Sequence, residues 1–525
     1  MTGVYKLNTK KTITKHISNQ LDFYYYFLLG LAFSILSILK YESLHSSYYD
    51  LGFYESLIIN FIRNKSWVYL FNTHANLFVP FYSLFYGFVP TPCTLLVIQS
   101  FSIAFSGYFL SKIFLLKTNL SKYWFLIIFS LYSPVWYSCL IGFHFEHLSV
   151  LFLSFFYFIF EKKFKSKRFL IFIISLSICM VKEVYALSVI MIGIYVALKH
   201  KWYLFGTFIS LFALLYFILV TQVLIPFYSF GNDPIFVWNN AFKYLGTSII
   251  DISKNLILHP EVIIIEFFSD YKKLQYLVFL FAPLLFLPFI SPLELLPILP
   301  IILISILSHN QNHYSIINQY ATSAIAPIFI GFITSINKTE TIYHRIFNNS
   351  KTKLIVTDFK FILIAIVIFS SVLFNIIISP SPISRLFWTK KIWNLHFSSY
   401  IPSLRDLEIK KAIEHYIPKD PTVIVTTQNS LNHSILANRK YYFSFPEGAI
   451  NPAKTLTGQK VSADYLLIDR KRPLYIKDKG CDYIYSECKN TSIINEFNKL
   501  LEDAQKKYKI IYSVDDFQIL KLNDN

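Results

Sequence analysis

The chain has 525 residues, of which 54% are hydrophobic and 18% aromatic, but only 15% are charged. Its mean hydropathy is +0.47. A soluble domain carries roughly 25% charged residues, so disorder, a basic nucleic-acid-binding globule and a secreted disulfide scaffold are all excluded. The net charge of +18 does not point to nucleic acid, because many of the positives sit in short tracts between apolar runs, where they orient helices in a bilayer.

A membrane-spanning helix needs about 20 mostly apolar residues. Such runs lie at 22–40, 93–115, 123–141, 148–160, 169–181, 184–198, 203–224, 275–290, 293–307, 321–336 and 354–379. The expected fold is therefore an α-helical polytopic membrane protein of about eleven transmembrane helices. Residues 1–20 carry Lys6, Lys10, Lys11 and Lys15 and no acid, which places the N-terminus in the cytoplasm. The first span lacks a small-residue cleavage site and is expected to be a retained anchor.

Alternating from there, the inner loops hold Lys117 and Lys122, the tract Lys162–Arg168, Lys199 and Lys201, and Lys338, Arg345, Lys351 and Lys353. The loops at 142–147 and 308–320 hold no lysine or arginine. Every basic tract in a short loop then falls on one side. Residues 169–198 form either one long tilted helix or two short ones; two keep Lys199 and Lys201 inside.

The outer side receives the long loops 41–92 and 225–274, within a membrane domain of 21–384. It also receives a polar tail, 385–525. That tail alternates β-rich runs (422–427, 441–445, 464–469, 509–514) with helical patterns at 403–417 and 491–507. The mixture predicts a small extracytoplasmic α/β domain. Of the five cysteines, Cys93, Cys139 and Cys179 lie in or at the ends of apolar runs, whereas Cys481 and Cys488 are placed to close a small disulfide loop in the tail.

Four polar clusters lie at outer helix ends. In the first loop, Leu51, Tyr54, Ile58 and Phe61 follow helical spacing and predict an interfacial amphipathic helix. Asp50 stands near its start, either as a helix cap or as a functional carboxylate. His74 follows in the same loop, either as a site residue or as an interface histidine with a water partner. The turn GFHFEHLSV supplies His144, Glu146 and His147, able to hold a divalent ion or a phosphate headgroup or merely to cap two helices. Lys182-Glu183 interrupts an apolar run, either as a functional pair or as a local ion pair. The stretch 308–320 carries His309, Asn310, Asn312, His313, Tyr314 and Tyr320, a donor- and acceptor-rich loop suited to a sugar or phosphate. Ionisable groups at one membrane face, rather than at mid-bilayer, favour handling of a lipid headgroup over ion transport.

The strings YDLGFYES (49–56), GFHFEHLSVLFL (142–153), MVKEVYALSV (180–189), NHYSIINQY (312–320) with APIF, and TQNSLNHSILANRKYYFSFP (427–446) resemble, in this order, the prokaryotic membrane-protein family DUF2079. That family is similar in layout to the GT-C type of membrane glycosyltransferase, which uses polyprenyl-phosphate-linked sugars. The resemblance implies a helix bundle with an acidic catalytic residue in the first outer loop, matched here by Asp50, and an acidic metal motif matched by His144-x-Glu146, where histidine replaces the first acid.

The expected activity is transfer of a sugar from a polyprenyl-phosphate carrier at the outer face of the cell membrane, by single displacement with inversion. Asp50 is the expected general base. Glu55, His74, Lys182, Glu183, His309, Asn310, Asn312 and Tyr314 are expected around the substrate, with His144 and Glu146 orienting the acceptor or holding a divalent metal. The rival readings are a non-catalytic flippase or envelope-assembly factor, and a membrane anchor for the tail.

Overall fold

The computed structural model describes residues 2–71, 74–229, 241–346, 356–389, 395–455, 458–472, 475–476, 479–480 and 491–523; Lys351, Lys353, Cys481 and Cys488 lie outside them. The chain is mostly helical. Five helices are long and apolar enough to cross a membrane, at Leu21–Glu42, Pro92–Thr118, Tyr203–Tyr228, Gln319–Tyr343 and Phe359–Ile378. Lys122–Leu131 and Ser133–Leu140 make a sixth if taken together, bent by 58°. Tyr132 and Pro134 stand at that bend, where proline removes a backbone donor.

The other expected spans take different forms. His147–Glu161 and Lys167–Val181 have 15 residues each and Tyr185–His200 has 16. At 1.5 Å per residue these are shorter than a hydrocarbon core of about 30 Å. The run 169–198 is two helices, with Lys182-Glu183 at the break. The runs 275–290 and 293–307 are not continuous helices. Tyr271–Phe281 gives way to tight 3₁₀ turns at Ala282–Leu284 and Leu287–Ile290, and Pro292–Ile298 is 3₁₀ before Leu299–Leu307 resumes the α-helix. Pro283, Pro288, Pro292 and Pro297 account for the breaks, since each lacks an N–H for the ladder.

The basic tracts meet at one end of the bundle. Lys117 pairs with Glu161 at 2.7 Å, Asn337 donates to the Lys117 carbonyl at 2.6 Å, Lys167 lies 3.3 Å from His200, and Lys199 pairs with buried Glu294. Glu146 and Glu183 stand at the opposite ends of two of these same helices, His147–Glu161 and Tyr185–His200, together with His74 and Asp50.

The tail contains a five-stranded sheet in the order Tyr442–Ser444, Val425–Thr427, Tyr465–Asp469, Phe517–Leu522, Tyr508–Val514. The first three strands run parallel and the last two antiparallel. Alternation along the strands gives two apolar layers. Leu467, Phe517 and Ile519 pack with Ile409 and Ile413 of the helix Leu404–Tyr416. Leu466, Ile468 and Leu520 pack with Phe497 and Leu501 of the helix Thr491–Gln505. Leu44, from the end of the first membrane helix, is fully buried in the first of these layers, so the tail and the bundle share a core.

The first-loop helix, Phe53–Asn64, packs between the bundle and the tail. Tyr54, Leu57 and Ile58 belong to the bundle core, while Asn60 donates to the Arg439 carbonyl at 3.2 Å and Arg63 to the Asn438 side chain. Its amphipathic pattern is satisfied by protein on both sides.

Candidate functional site

Asp50 sits in one wide π-type turn, Tyr48–Gly52, that leads into the first-loop helix. Gly52 occupies the capping position, so Asp50 is not the cap. Its carboxylate instead faces across the chain. Oδ1 lies 2.9 Å from His144 Nε2, and Oδ2 accepts from the Ser47 hydroxyl. Asp50 and His144 are 17% and 15% exposed, so the pair is largely enclosed but still reachable.

The turn 142–147 is set by buried Gln99 of the span Pro92–Thr118. The Gln99 side-chain amide donates to the Gly142 carbonyl at 2.7 Å, and its oxygen accepts from the His144 backbone N–H at 3.1 Å. Gly142 lies directly against the carboxylate: a Cβ there would be 2.8 Å from Asp50 Cγ. Buried Lys40, from the first span, donates to the Leu140 carbonyl at 2.6 Å, at the end of the helix Ser133–Leu140 that leads into this turn. His147 borders the same cleft and lies 2.6 Å from the Tyr82 hydroxyl.

Two further ion pairs adjoin this one. Lys182 lies 3.1 Å from Glu146. Burial alone would raise Glu146, but Lys182 and His144 outweigh it and hold the carboxyl below its ordinary range. Burial likewise opposes the charge on Lys182, and Glu146 overcomes that to push it up. Glu183 accepts from His74 Nδ1 at 2.7 Å and from the Ala75 N–H at 2.9 Å. Against its burial, His74, Lys182 and that backbone donor hold Glu183 down to about 2. Three of the four polar clusters thus form one charged layer.

The fourth divides. His309 and Tyr314 turn to a separate group, His309 to Glu266 at 3.3 Å and Tyr314 to Asp270 at 3.0 Å. Asn310 and Asn312 make turn bonds with Ser308 and Asn318. His313 does approach the charged layer: burial, with Lys182 and His74 nearby, pushes it down to about 4. The residues of this stretch that reach the Asp50 cleft are Ile317, Asn318 and Gln319.

That cleft lies between Asp50, Gln99, His144 and Glu146 on one side and 317–319 with Thr322 on the other, and has a volume of about 20 Å³. A single water fills such a space. The residues do not fit a metal ion. His144 Nε2 is directed to Asp50, the Lys182 ammonium holds Glu146, and among the described residues no three His, Cys, Asp or Glu side chains group as a metal site. Glu55 is apart from the cleft, fully buried and bonded to the Tyr86 hydroxyl at 2.7 Å.

The tail completes the site. Asn429 Oδ1 accepts from the Tyr49 N–H at 3.0 Å, and Asn432 packs so closely on Gly52 that a Cβ there would lie 2.4 Å from its Oδ1. Arg472, held by Asp406 at 2.7 Å and Asp469 at 3.0 Å, donates to the Leu44 carbonyl. The asparagines follow the carboxyl end of the strand Val425–Thr427, where the chain reverses its strand order. In open α/β sheets that crevice receives ligands; here it receives the Asp50 turn. Sequence reasoning did not single out Gln99, Lys40, Asn432 or Arg472. A lone amide in the apolar run LLVIQSF and the paired asparagines of TQNSLN were the available signals.

No curated protein matches the chain. A family of predicted membrane proteins of unknown function matches residues 40–515, from the end of the first span to the last hairpin of the tail. The chain therefore belongs to the DUF2079 family.

Proposed function

We propose that the protein is a glycosyltransferase-like enzyme of the outer membrane face, with Asp50 as general base and a polyprenyl-phosphate-linked sugar as donor. What supports this reading most is the Asp50–His144 pair at 2.9 Å, largely enclosed yet reachable, between turns held by contacts from two helices and the tail. A carboxylate fixed in this way can take a proton from an acceptor hydroxyl as it attacks the anomeric carbon. The bond to the carrier phosphate breaks as the new glycosidic bond forms, and Lys182 supplies positive charge for the departing phosphate, with His74 beside it as a hydrogen-bonding group. A sugar enters only if 317–319 withdraws, as loops that gate active sites do.

In the accompanying topology the basic loops and N-terminus are cytoplasmic and the tail is extracytoplasmic; eleven membrane passages then include the short and broken helices. The direct test supplies a radiolabelled polyprenyl-phosphate hexose to full-length protein in nanodiscs. Release of polyprenyl phosphate by the wild type, and none by Asp50→Asn, is the expected result. Equal release from both removes Asp50 from the chemistry.

One observation favours a second reading. The cleft has room for a single water and its acids are matched to cations or histidines, as in a purely structural lattice that fixes the tail on its anchor. That reading predicts that Asp50→Asn lowers stability alone.

A further inference from the structure

A second cavity, of about 1080 Å³, lies between the first-loop helix and the tail, apart from the Asp50 cleft. Ile59, Ile62 and Arg63 form one wall, and Lys411, Glu414 and His415, on one face of the helix Leu404–Tyr416, form the other. Lys419 closes the end and Tyr86, Gly87 and Pro90 make the floor.

Three features define what this groove can hold. First, Arg63, Lys411 and Lys419 converge on it. Arg63 makes neutral hydrogen bonds to Asn438, and neither lysine makes an ion pair among the described residues. One acid shares the wall, Glu414, 3.5 Å from His433, so the groove carries three cations to one carboxylate. Second, the floor adjoins the start of the apolar helix Pro92–Thr118, which is long enough to cross a membrane and begins two residues beyond Pro90. Third, the apolar tip of the helix Val79–Phe88 leads out of the groove uncovered, with Leu84 66%, Phe88 86% and Val89 55% exposed. Positive charge above and bare apolar surface below, at the level where a span begins, match an amphiphile with a phosphate head.

We propose that this groove binds the phosphate-bearing headgroup of an anionic lipid, with Arg63, Lys411 and Lys419 around the phosphate and the acyl chains along Leu84, Phe88 and Val89. The site stands whether or not Asp50 is catalytic. Beneath the floor, Tyr86 carries the hydrogen bond to Glu55, whose burial keeps it largely neutral at neutral pH, so no buried carboxylate opposes the headgroup.

The test uses full-length protein in a neutral detergent, read by native mass spectrometry with phosphatidylglycerol, phosphatidylcholine or inorganic phosphate added. The wild type should retain phosphatidylglycerol in preference to phosphatidylcholine. The double variant Lys411→Gln/Lys419→Gln should retain about thirtyfold less, the scale of two surface cations acting on a headgroup, while Lys509→Gln on the far strand should match the wild type. Both lysines of the double variant are exposed, so the fold persists without them. Equal retention of the two lipids, or no loss in the double variant, overturns the proposal. Displacement of the lipid by inorganic phosphate at matching concentration assigns the groove to free phosphate and overturns the lipid assignment.

Discussion

Gly142 and Asp50 are in direct apposition: the carboxyl carbon of Asp50 lies where a side chain at Gly142 would begin, 2.8 Å from its ideal Cβ position. The two residues come from different loops, and the absence of a Cβ on one lets the other reach His144. Gly142→Ala is expected to push the carboxylate off His144 and to destabilise the protein by about 1–3 kcal/mol, the cost of overpacking a close contact. Activity should fall with it, whereas Gly87→Ala, where a Cβ meets nothing within 4 Å, should leave the Asp50 pair intact. Thermal unfolding in detergent, with histidine NMR of His144, separates the two.

The buried pair Glu146–Lys182 gives a second prediction. Lys182→Met leaves a carboxylate enclosed without its cation and should cost about 3–5 kcal/mol, while the double variant Lys182→Met/Glu146→Leu should recover much of that loss. Chemical denaturation of the three proteins decides it. A single variant as stable as the wild type would mean that Glu146 is hydrated.

Glu55 makes stability depend on pH. Burial pushes its carboxyl up to about 8 from 4.5, although the Tyr86 hydroxyl draws it back. The folded protein then holds a proton that the unfolded chain gives up. The contribution of Glu55 is full below 4.5 and is lost as pH rises through 8, a change on the order of 5 kcal/mol. Glu55→Gln should flatten that part of the stability–pH curve. An unchanged slope would remove Glu55 as its source.

Glu183 acts in the opposite sense. His74, Lys182 and the Ala75 N–H hold it down to about 2 against its burial, so its contribution is present above 4.5 and is lost as pH falls toward 2. His74→Ala should raise the Glu183 pKa and move acid unfolding to higher pH. An acid midpoint that stays put would show that His74 does not stabilise the Glu183 carboxylate.

Arg472 ties the tail to the chain just ahead of Asp50. Arg472→Ala leaves Asp406 without its cation and frees the Leu44 carbonyl, and should cost about 3–5 kcal/mol. Limited proteolysis should then cut between residues 43 and 52 in the variant before it cuts the wild type. Identical digestion patterns would mean that the shared apolar core alone holds the tail.

Much of this arrangement was legible in the sequence, and the gaps have physical causes. Asp50, His74, His144, Glu146, Lys182 and Glu183 stood out as ionisable groups at the ends of apolar runs. Their pairing did not, because His74 and Glu183 are 109 positions apart and Glu146 and Lys182 are 36 apart, and spacing along a chain says nothing of which helix ends meet. The stretch 308–320 has one composition but two destinations, since His309 and Tyr314 turn to acids of the preceding helices.

The runs 275–290 and 293–307 have the hydropathy of spans, but their prolines break the ladder that hydropathy does not register. In the tail, four sheet strands were visible as β-rich runs. The fifth, Phe517–Leu522, was not among them; it follows closely on Tyr508–Val514, through Asp515 and Asp516 at positive φ. The first-loop helix had the pattern of a lipid-facing helix, and only the docked tail supplies its second protein face.

The measurement that bears most directly on the role of Asp50 is native mass spectrometry of the protein extracted from its own membrane, comparing the wild type with Asp50→Asn. Transfer through Asp50 predicts a co-purifying polyprenyl-phosphate sugar enriched in the variant, because the donor is held and not consumed. Equal lipid in both proteins, or no polyprenyl lipid in either, would contradict it.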